Sequence, residues 1–197
     1  MISRSVMIDW KIVINDEVLS SAKSGSEDAW ATIYDALAAP LLSYLRHLGA
    51  HSPMEAEDLL GETFLQLARD LGTFTGNATE LRPWAFRIAR NRLVDLTRSE
   101  ARRPEGNLAP TRDGDSSQLS HLTESDYERV LDYEVLTQLL AGLSSEHRDV
   151  IWLRFIEDLD TEEVGHITGR SANAVAAMTR RALTHLHLLM QEHLASA

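Results

Sequence analysis

Residues 82–103, RPWAFRIARNRLVDLTRSEARR, constrain the fold more than any other stretch of the chain. On a 3.6-residue period, Ala85, Ile88, Ala89, Leu93 and Leu96 share one face. Trp84, Arg87, Asn91, Asp95, Arg98 and Arg102 share the opposite face, at spacings of 3, 4, 4, 3 and 4. The spacing predicts a helix from about Pro83 with one side for a core and the other a basic stripe, an aromatic at its N-terminal end. The stretch holds seven arginines against two acids, a local charge of +5, whereas the whole chain of 197 residues carries a net charge of −11. Arginine binds phosphates and stacks on bases, and Arg and Asn can read base edges. The polar loop before the helix, 72–80, offers Phe74, Asn77 and Thr79, which suit an unpaired base by stacking or hydrogen bonding. A solvated basic face paired with neighbouring acids is the plain alternative.

The rest of the chain also follows a helical period, and Gly and Pro are sparse. A first helical block runs from about Asp16 to Leu48. Gly25 interrupts it, Ser26 is placed to cap the helix beyond that break, and Pro40 predicts a kink. Ser52 and Pro53 open a second helix over 53–71. The N-terminal VMIDWKIVI suits either a short strand or a helix, and residues 1–23 read as an extension. After Arg103 the composition shifts to Pro, Gly, Ser and Asp, which predicts a flexible linker at 104–126. From Glu105 to Glu134 there are eight acids and two arginines, a net of −6. Such a segment is either a passive tether or an acidic mimic of nucleic acid.

The fold class expected is therefore all-α, with two small helical domains, 24–103 and 127–194. The second ends in a helix-turn-helix pattern. SSEHRDVIWLRFIEDL is a serine-capped helix, and DTEEVGHIT is a short helix started by Asp160 or Thr161. The turn is GRS, with Gly169 suited to the left-handed conformation. The last helix places Val175, Met178, Ala182, Leu186 and Leu189 on a core face, and Asn173, Ala176, Ala177 and Arg180 on the other. A second helix with small residues at its exposed start can approach a major groove.

Several classes are excluded. There is no cysteine, hence no disulfide and no thiolate chemistry. No apolar run reaches the roughly 18–20 residues that span a bilayer, and no signal peptide is expected. Glu163 and His166 form a single Glu-x-x-His pair where a di-iron bundle needs two. No phosphate loop or nucleophile elbow is present, so neither an enzyme nor a metal or cofactor is expected.

AEDLLGETFLQLARDLGTFTG and RPWAFRIARNRLVDLTRSEARRP resemble the second conserved region of bacterial RNA polymerase sigma factors. GLSSEHRDVIWLRFIEDLDTEEVGHITGRSANAVAAMTRRALTHL resembles their fourth. Two regions joined by a short linker are similar to the extracytoplasmic-function group, and the match covers about residues 27–190. The resemblance implies a cytoplasmic protein that binds core RNA polymerase and promoter DNA, with an anti-sigma factor as a further partner. Asp58, Leu59, Glu62, Thr63 and Phe64 would dock on the polymerase. Phe74, Asn77, Thr79, Trp84, Arg87, Asn91, Arg98 and Arg102 would hold the melted −10 element. Arg170, Ser171, Asn173, Ala174, Ala177, Arg180 and Arg181 would meet the −35 duplex. Trp84 is equally well placed as a core anchor, and Arg90 and Arg92 as partners of nearby acids.

Two departures stand out. Residues 176–178 are Ala-Ala-Met where the family often has basic residues, which predicts weak −35 affinity or reliance on shape and thymine methyl contacts. Gly165 replaces a more usual alanine and weakens its helix slightly. A helix-turn-helix regulator of duplex operators is the competing function; it accounts for 134–190 but leaves the arginine stripe unexplained.

Overall fold

The computed structural model describes residues 13–48, 52–101 and 138–196. The expected linker, the start of the second domain at 127, Arg102 and most of VMIDWKIVI lie outside those residues. The regular elements described are all helical: α1 (Asp16–Lys23), α2 (Glu27–Leu48), α3 (Pro53–Asp70), a 3-10 turn (Leu71–Thr73), α4 (Ala78–Ala101), α5 (Ser145–Ile151), a π turn (Trp152–Ile156), α6 (Thr161–Thr168) and α7 (Ala172–Ser196). No strand occurs among the described residues, and the all-α expectation holds. The chain divides into two compact units, Met1–Pro104 together with Gly165–Arg170, and Glu105–Val164 together with Ser171–Ala197.

In the first unit α1 packs on α2, α2 on α3, and α4 on both α2 and α3. Helix α1 starts where the Asn15 carboxamide accepts the Val18 N–H at 2.9 Å. It ends where the Ser26 N–H reaches the Ser21 carbonyl and the Gly25 N–H the Ala22 carbonyl. That closure needs the left-handed backbone of Gly25, φ +89°. The Ser26 hydroxyl then caps α2 by accepting from Ala29 N–H. Ile14, Leu19 and Ala22 are buried, so residues 14–23 belong to the packed unit. Their apolar positions are too few to show an amphipathic stripe in sequence. Helix α2 runs through Pro40 as one element. At α3 the Ser52 hydroxyl accepts from Glu55 N–H at 3.1 Å, with Pro53 at the first position.

The core lies between α2, α3 and α4. Leu37, Leu41 and Leu45 are fully buried there, and such a side chain contributes about 1.5–3 kcal/mol by leaving water. Tyr44 meets Phe86 edge-on at 5.3 Å. Of the expected core face of α4, Ala85, Ile88, Ala89 and Leu93 are buried and Leu96 is half-buried.

The second unit is built on Trp152 and Leu153, both buried. Arg148 ties α5 to the preceding helical turn, donating to the carbonyls of Leu140, Ala141 and Leu143. The single helix expected over SSEHRDVIWLRFIEDL is instead α5, capped by Ser144, followed by the π turn. There the Glu157 N–H bonds to the Trp152 carbonyl, and the Trp152 indole donates to the buried Glu157 carboxylate at 3.0 Å. Helix α7 packs against α5; its Val175, Met178 and Ala182 are buried, while Leu186 and Leu189 are half-buried.

Candidate nucleic-acid interface

The loop expected over 72–80 is shorter, because α4 begins at Ala78 rather than near Pro83. Asn77 makes the start. Its Oδ1 accepts from Thr79 N–H (2.9 Å), Thr79 Oγ1–H (2.7 Å) and Glu80 N–H (3.2 Å). The Glu80 carboxylate reaches back to the Asn77 N–H at 2.9 Å, completing a capping box. With the cap at Asn77, Pro83 falls inside the helix, where it removes only the donor to the Thr79 carbonyl. Three donors converging on one amide atom fix that atom as oxygen. Asn77 is itself exposed, and its amide nitrogen carries two further N–H donors.

Phe74 and Trp84 stack on each other, with centroids 4.6 Å apart and planes 22° from parallel. Both are half-buried. Trp84 is therefore neither a core anchor nor a free platform; one ring face is covered by Phe74. The Phe74 ring also covers Gly76, where an added Cβ would lie 2.5 Å from the ring. A larger residue there would have to displace the Phe74 ring or the Glu80 carboxylate, 2.9 Å from the same point. The loop is tied to α1 at both ends. Lys23 Nζ donates to the Phe74 carbonyl at 2.6 Å and sits 5.3 Å from the centroid of the Phe74 ring. The Asp16 carboxylate accepts the Ala78 N–H at 2.8 Å.

Along α4, Arg87, Asn91, Asp95 and Arg98 are exposed on the expected face, which continues from Trp84. The stripe carries fewer cations than the sequence count implies. Arg82 is 3% exposed and lies over the Phe86 ring at 5.2 Å. Arg92 donates to the Gln66 carboxamide at 2.7 Å and stands 3.9 Å from Glu62. Arg92 thus has the structural role offered by its position near acids.

On α3 the expected docking residues separate. Asp58 and Glu62 are exposed, Glu62 beside Arg92, and Phe64 is half-buried against Tyr34 at 4.6 Å. Leu59 and Thr63 correct the expectation: they face the core, Thr63 with no exposed surface and its hydroxyl donating to the Leu59 carbonyl. The outer face of α3 instead presents Met54 (73% exposed) and Leu65 (64%). These two share the strip of Asp58 and Gly61 at helical spacing, a signal present in the sequence.

In the helix-turn-helix Asp160 starts α6: its carboxylate accepts from Glu162 and Glu163 N–H at 2.8 Å, and the Glu163 carboxylate accepts from the Asp160 N–H. Gly169, φ +70°, makes the turn, with the Arg170 N–H bonded to the Gly165 carbonyl. Ser171 caps α7 by accepting from Ala174 N–H, so its hydroxyl oxygen already has a structural task. Ser171, Asn173, Arg180 and Arg181 are exposed; Arg170, Ala174 and Ala177 are half-buried. Asn173, Ala177 and Arg180 recur at helical spacing on the outer side of α7.

Comparison with known proteins places this geometry. Residues 33–103 match the family model for sigma-70 region 2, and residues 133–186 that for sigma-70 region 4. The chain is 27% identical over 176 residues to the ECF RNA polymerase sigma factor BldN of Streptomyces coelicolor, covering 89% of this chain and 66% of that one. It is 30% identical over 153 residues to the ECF RNA polymerase sigma factor ShbA of Streptomyces griseus, covering 76% and 79%. The sigma factor RpoE of Bartonella quintana, solved with the anti-sigma factor NepR, shares the fold with a TM-score of 0.66 at 20% identity, covering 84% of this chain and 98% of that one. A loop-and-helix unit with a basic outer stripe, followed by a helix-turn-helix, in register with two sigma-70 regions, leads to one assignment: the chain belongs to the ECF RNA polymerase sigma factors.

Proposed function

We propose that the chain binds core RNA polymerase through its first unit, brings it to a two-part promoter and holds the opened −10 strand. The observation that carries this reading is the continuous outer surface formed by the Asn77 amide, the Phe74–Trp84 stack, Arg87, Asn91 and Arg98. It joins stacking, amide and cationic groups along one helix, the combination that single-stranded DNA needs. Arg102 is assigned to the same strip by spacing. Thr79 supports the cap and acts through Asn77.

On α3 we assign Asp58, Met54 and Leu65 as the polymerase contacts, with Glu62 and Phe64 at the rim. On α7, Asn173, Arg180 and Arg181 meet the −35 duplex, Ala174 and Ala177 allow close approach, and Ser171 and Arg170 shape the turn. With Ala-Ala-Met at 176–178 that contact is sparse in charge, so the −35 element adds modest affinity. An anti-sigma factor covering these faces is assigned as the regulating partner, in line with the complex known for RpoE. The chain carries no reaction of its own and works in the cytoplasm, where the polymerase is. Among the described residues no helix is long and apolar enough to cross a membrane.

Run-off transcription with purified core polymerase tests the reading. Specific initiation that depends on this chain is expected. Operator binding without polymerase, and no initiation, would instead establish the duplex regulator.

A further inference from the structure

We propose that α1 is a splint for the loop Phe74–Asn77, with Lys23 and Asp16 as positioning residues that keep the loop in the shape that receives the −10 strand. The inference rests on the assignment of that loop and α4 to the −10 element. It starts from two tethers that cross most of the first unit's sequence. Lys23 Nζ holds the Phe74 carbonyl at 2.6 Å, and Asp16 Oδ1 holds the Ala78 N–H at 2.8 Å. The tethered groups bracket the loop, one at its first residue and one at the first residue of α4. Asp16 and Lys23 are seven residues apart on one helix face, so α1 sets their spacing at about 10 Å. The helix is itself fixed, because Leu19 and Ala22 are buried beneath it and both its ends are capped. It therefore acts as a rigid ruler laid across the two ends of the loop.

The loop needs such support. Its own residues make few apolar contacts: Thr75 and Asn77 are exposed, and the Phe74 ring leans on Trp84 and Gly76 at the surface. Each backbone residue left free would have to be ordered when DNA arrives, at about 1–2 kcal/mol per residue. Ordering it beforehand moves that cost from strand capture to folding. Lys23 also holds its ammonium beside the Phe74 ring, which fixes the side of the stack away from α1 for an incoming base. Helix α1 lies before the segment matched by the region 2 model, 33–103.

The test uses the full chain with core polymerase and a promoter mapped from transcripts that start when the chain is overproduced. Two quantities are read: amide hydrogen exchange at 74–78, and the rate of −10 opening by permanganate reactivity. Lys23→Met, which keeps the aliphatic stem, and Asp16→Ala are each expected to speed exchange there. They are also expected to slow opening by about three- to tenfold, the range for losing one charge-assisted bond at the surface. Lys23→Arg and Asp16→Asn restore both quantities, and core binding is unchanged in all four variants. Unchanged exchange and opening in the Lys23→Met, Asp16→Ala double variant overturns the splint. Faster exchange with normal opening, in a protein whose opening is slowed by Asn91→Ala, overturns it too, because loop order then has no bearing on capture. If Asn91→Ala itself leaves opening untouched, the assignment of this surface to the −10 element fails, whatever the exchange shows.

Discussion

Asn77 carries two roles that substitutions can separate. Its Oδ1 caps α4, and its amide nitrogen is the donor proposed to meet DNA. Asn77→Asp keeps the acceptor and removes the donor; Asn77→Ala removes both. Asn77→Ala is expected to lower stability by about 1 kcal/mol, the usual cost of a lost cap, whereas Asn77→Asp leaves stability near the parent. Both slow −10 opening, read by permanganate reactivity. Denaturant unfolding beside that reactivity checks the pair; equal losses of stability would show the cap and the donor to be inseparable. The sequence offered Asn77 only as a group for an unpaired base; its capping was hidden by Pro83, which looks like a helix start. The Asn77–Glu80 spacing was the better signal, since a capping box satisfies two backbone donors and a proline satisfies none.

A second residue-scale prediction concerns His47. Burial holds its imidazole below the ordinary value; the hydrogen bond to the Ser43 carbonyl opposes this, and the charge of Arg46 adds to it. The unfolded chain therefore takes up the proton first as pH falls. Stability from this group is fully present above the unfolded value of 6.5 and is lost as pH drops from there toward the lower folded value. Unfolding free energy measured between pH 7.5 and 5 should decline, and His47→Gln should flatten the decline. An unchanged slope in that variant would remove His47 as its source.

At the scale of elements, α3 shows what a family pattern conveys and what it omits. The resemblance grouped Leu59 and Thr63 with Asp58 on one docking helix, whereas in the fold Leu59 and Thr63 point inward. Residues 58 and 59 differ by about 100° around the helix, and here that step carries the chain from the exposed Asp58 to the buried Leu59. Leu65→Glu is expected to weaken core polymerase binding about tenfold or more while leaving stability nearly unchanged, because Leu65 is 64% exposed. Leu59→Ala should instead cost about 2–5 kcal/mol of stability as a cavity forms. Titrating labelled core polymerase and unfolding each variant separates the two; tight binding by the Leu65→Glu protein would place the docking face elsewhere. The helix-turn-helix was legible down to the Gly169 turn and the Asp160 cap, since both depend on local chemistry. The π turn was not, because Trp152–Ile156 keeps the apolar spacing of an α-helix and the cause lies in the Trp152–Glu157 contact.

On the scale of the whole molecule, charge organises the account. Of the net −11, −6 falls within residues 105–134, while the exposed cations of α4 and α7 gather on the surfaces assigned to DNA. Not every arginine of the cluster lies on that strip: Arg82 and Arg92 serve the fold of the first unit, the role the sequence already offered for Arg92. The remaining cations are too few to overcome long-range repulsion from the acidic remainder. The free chain should therefore bind promoter DNA weakly and with a shallow salt dependence, and bind it specifically only as part of the polymerase. Fluorescence anisotropy across a salt series compares the two states; tight, promoter-specific binding by the free chain would overturn this.

The most direct test of the central claim is permanganate reactivity of −10 thymines on a mapped promoter, with this chain, core polymerase, or both. Reactive thymines only when both are present, diminished by Asn91→Ala, are the predicted result. Reactivity with core polymerase alone, or none with the two together, would contradict it.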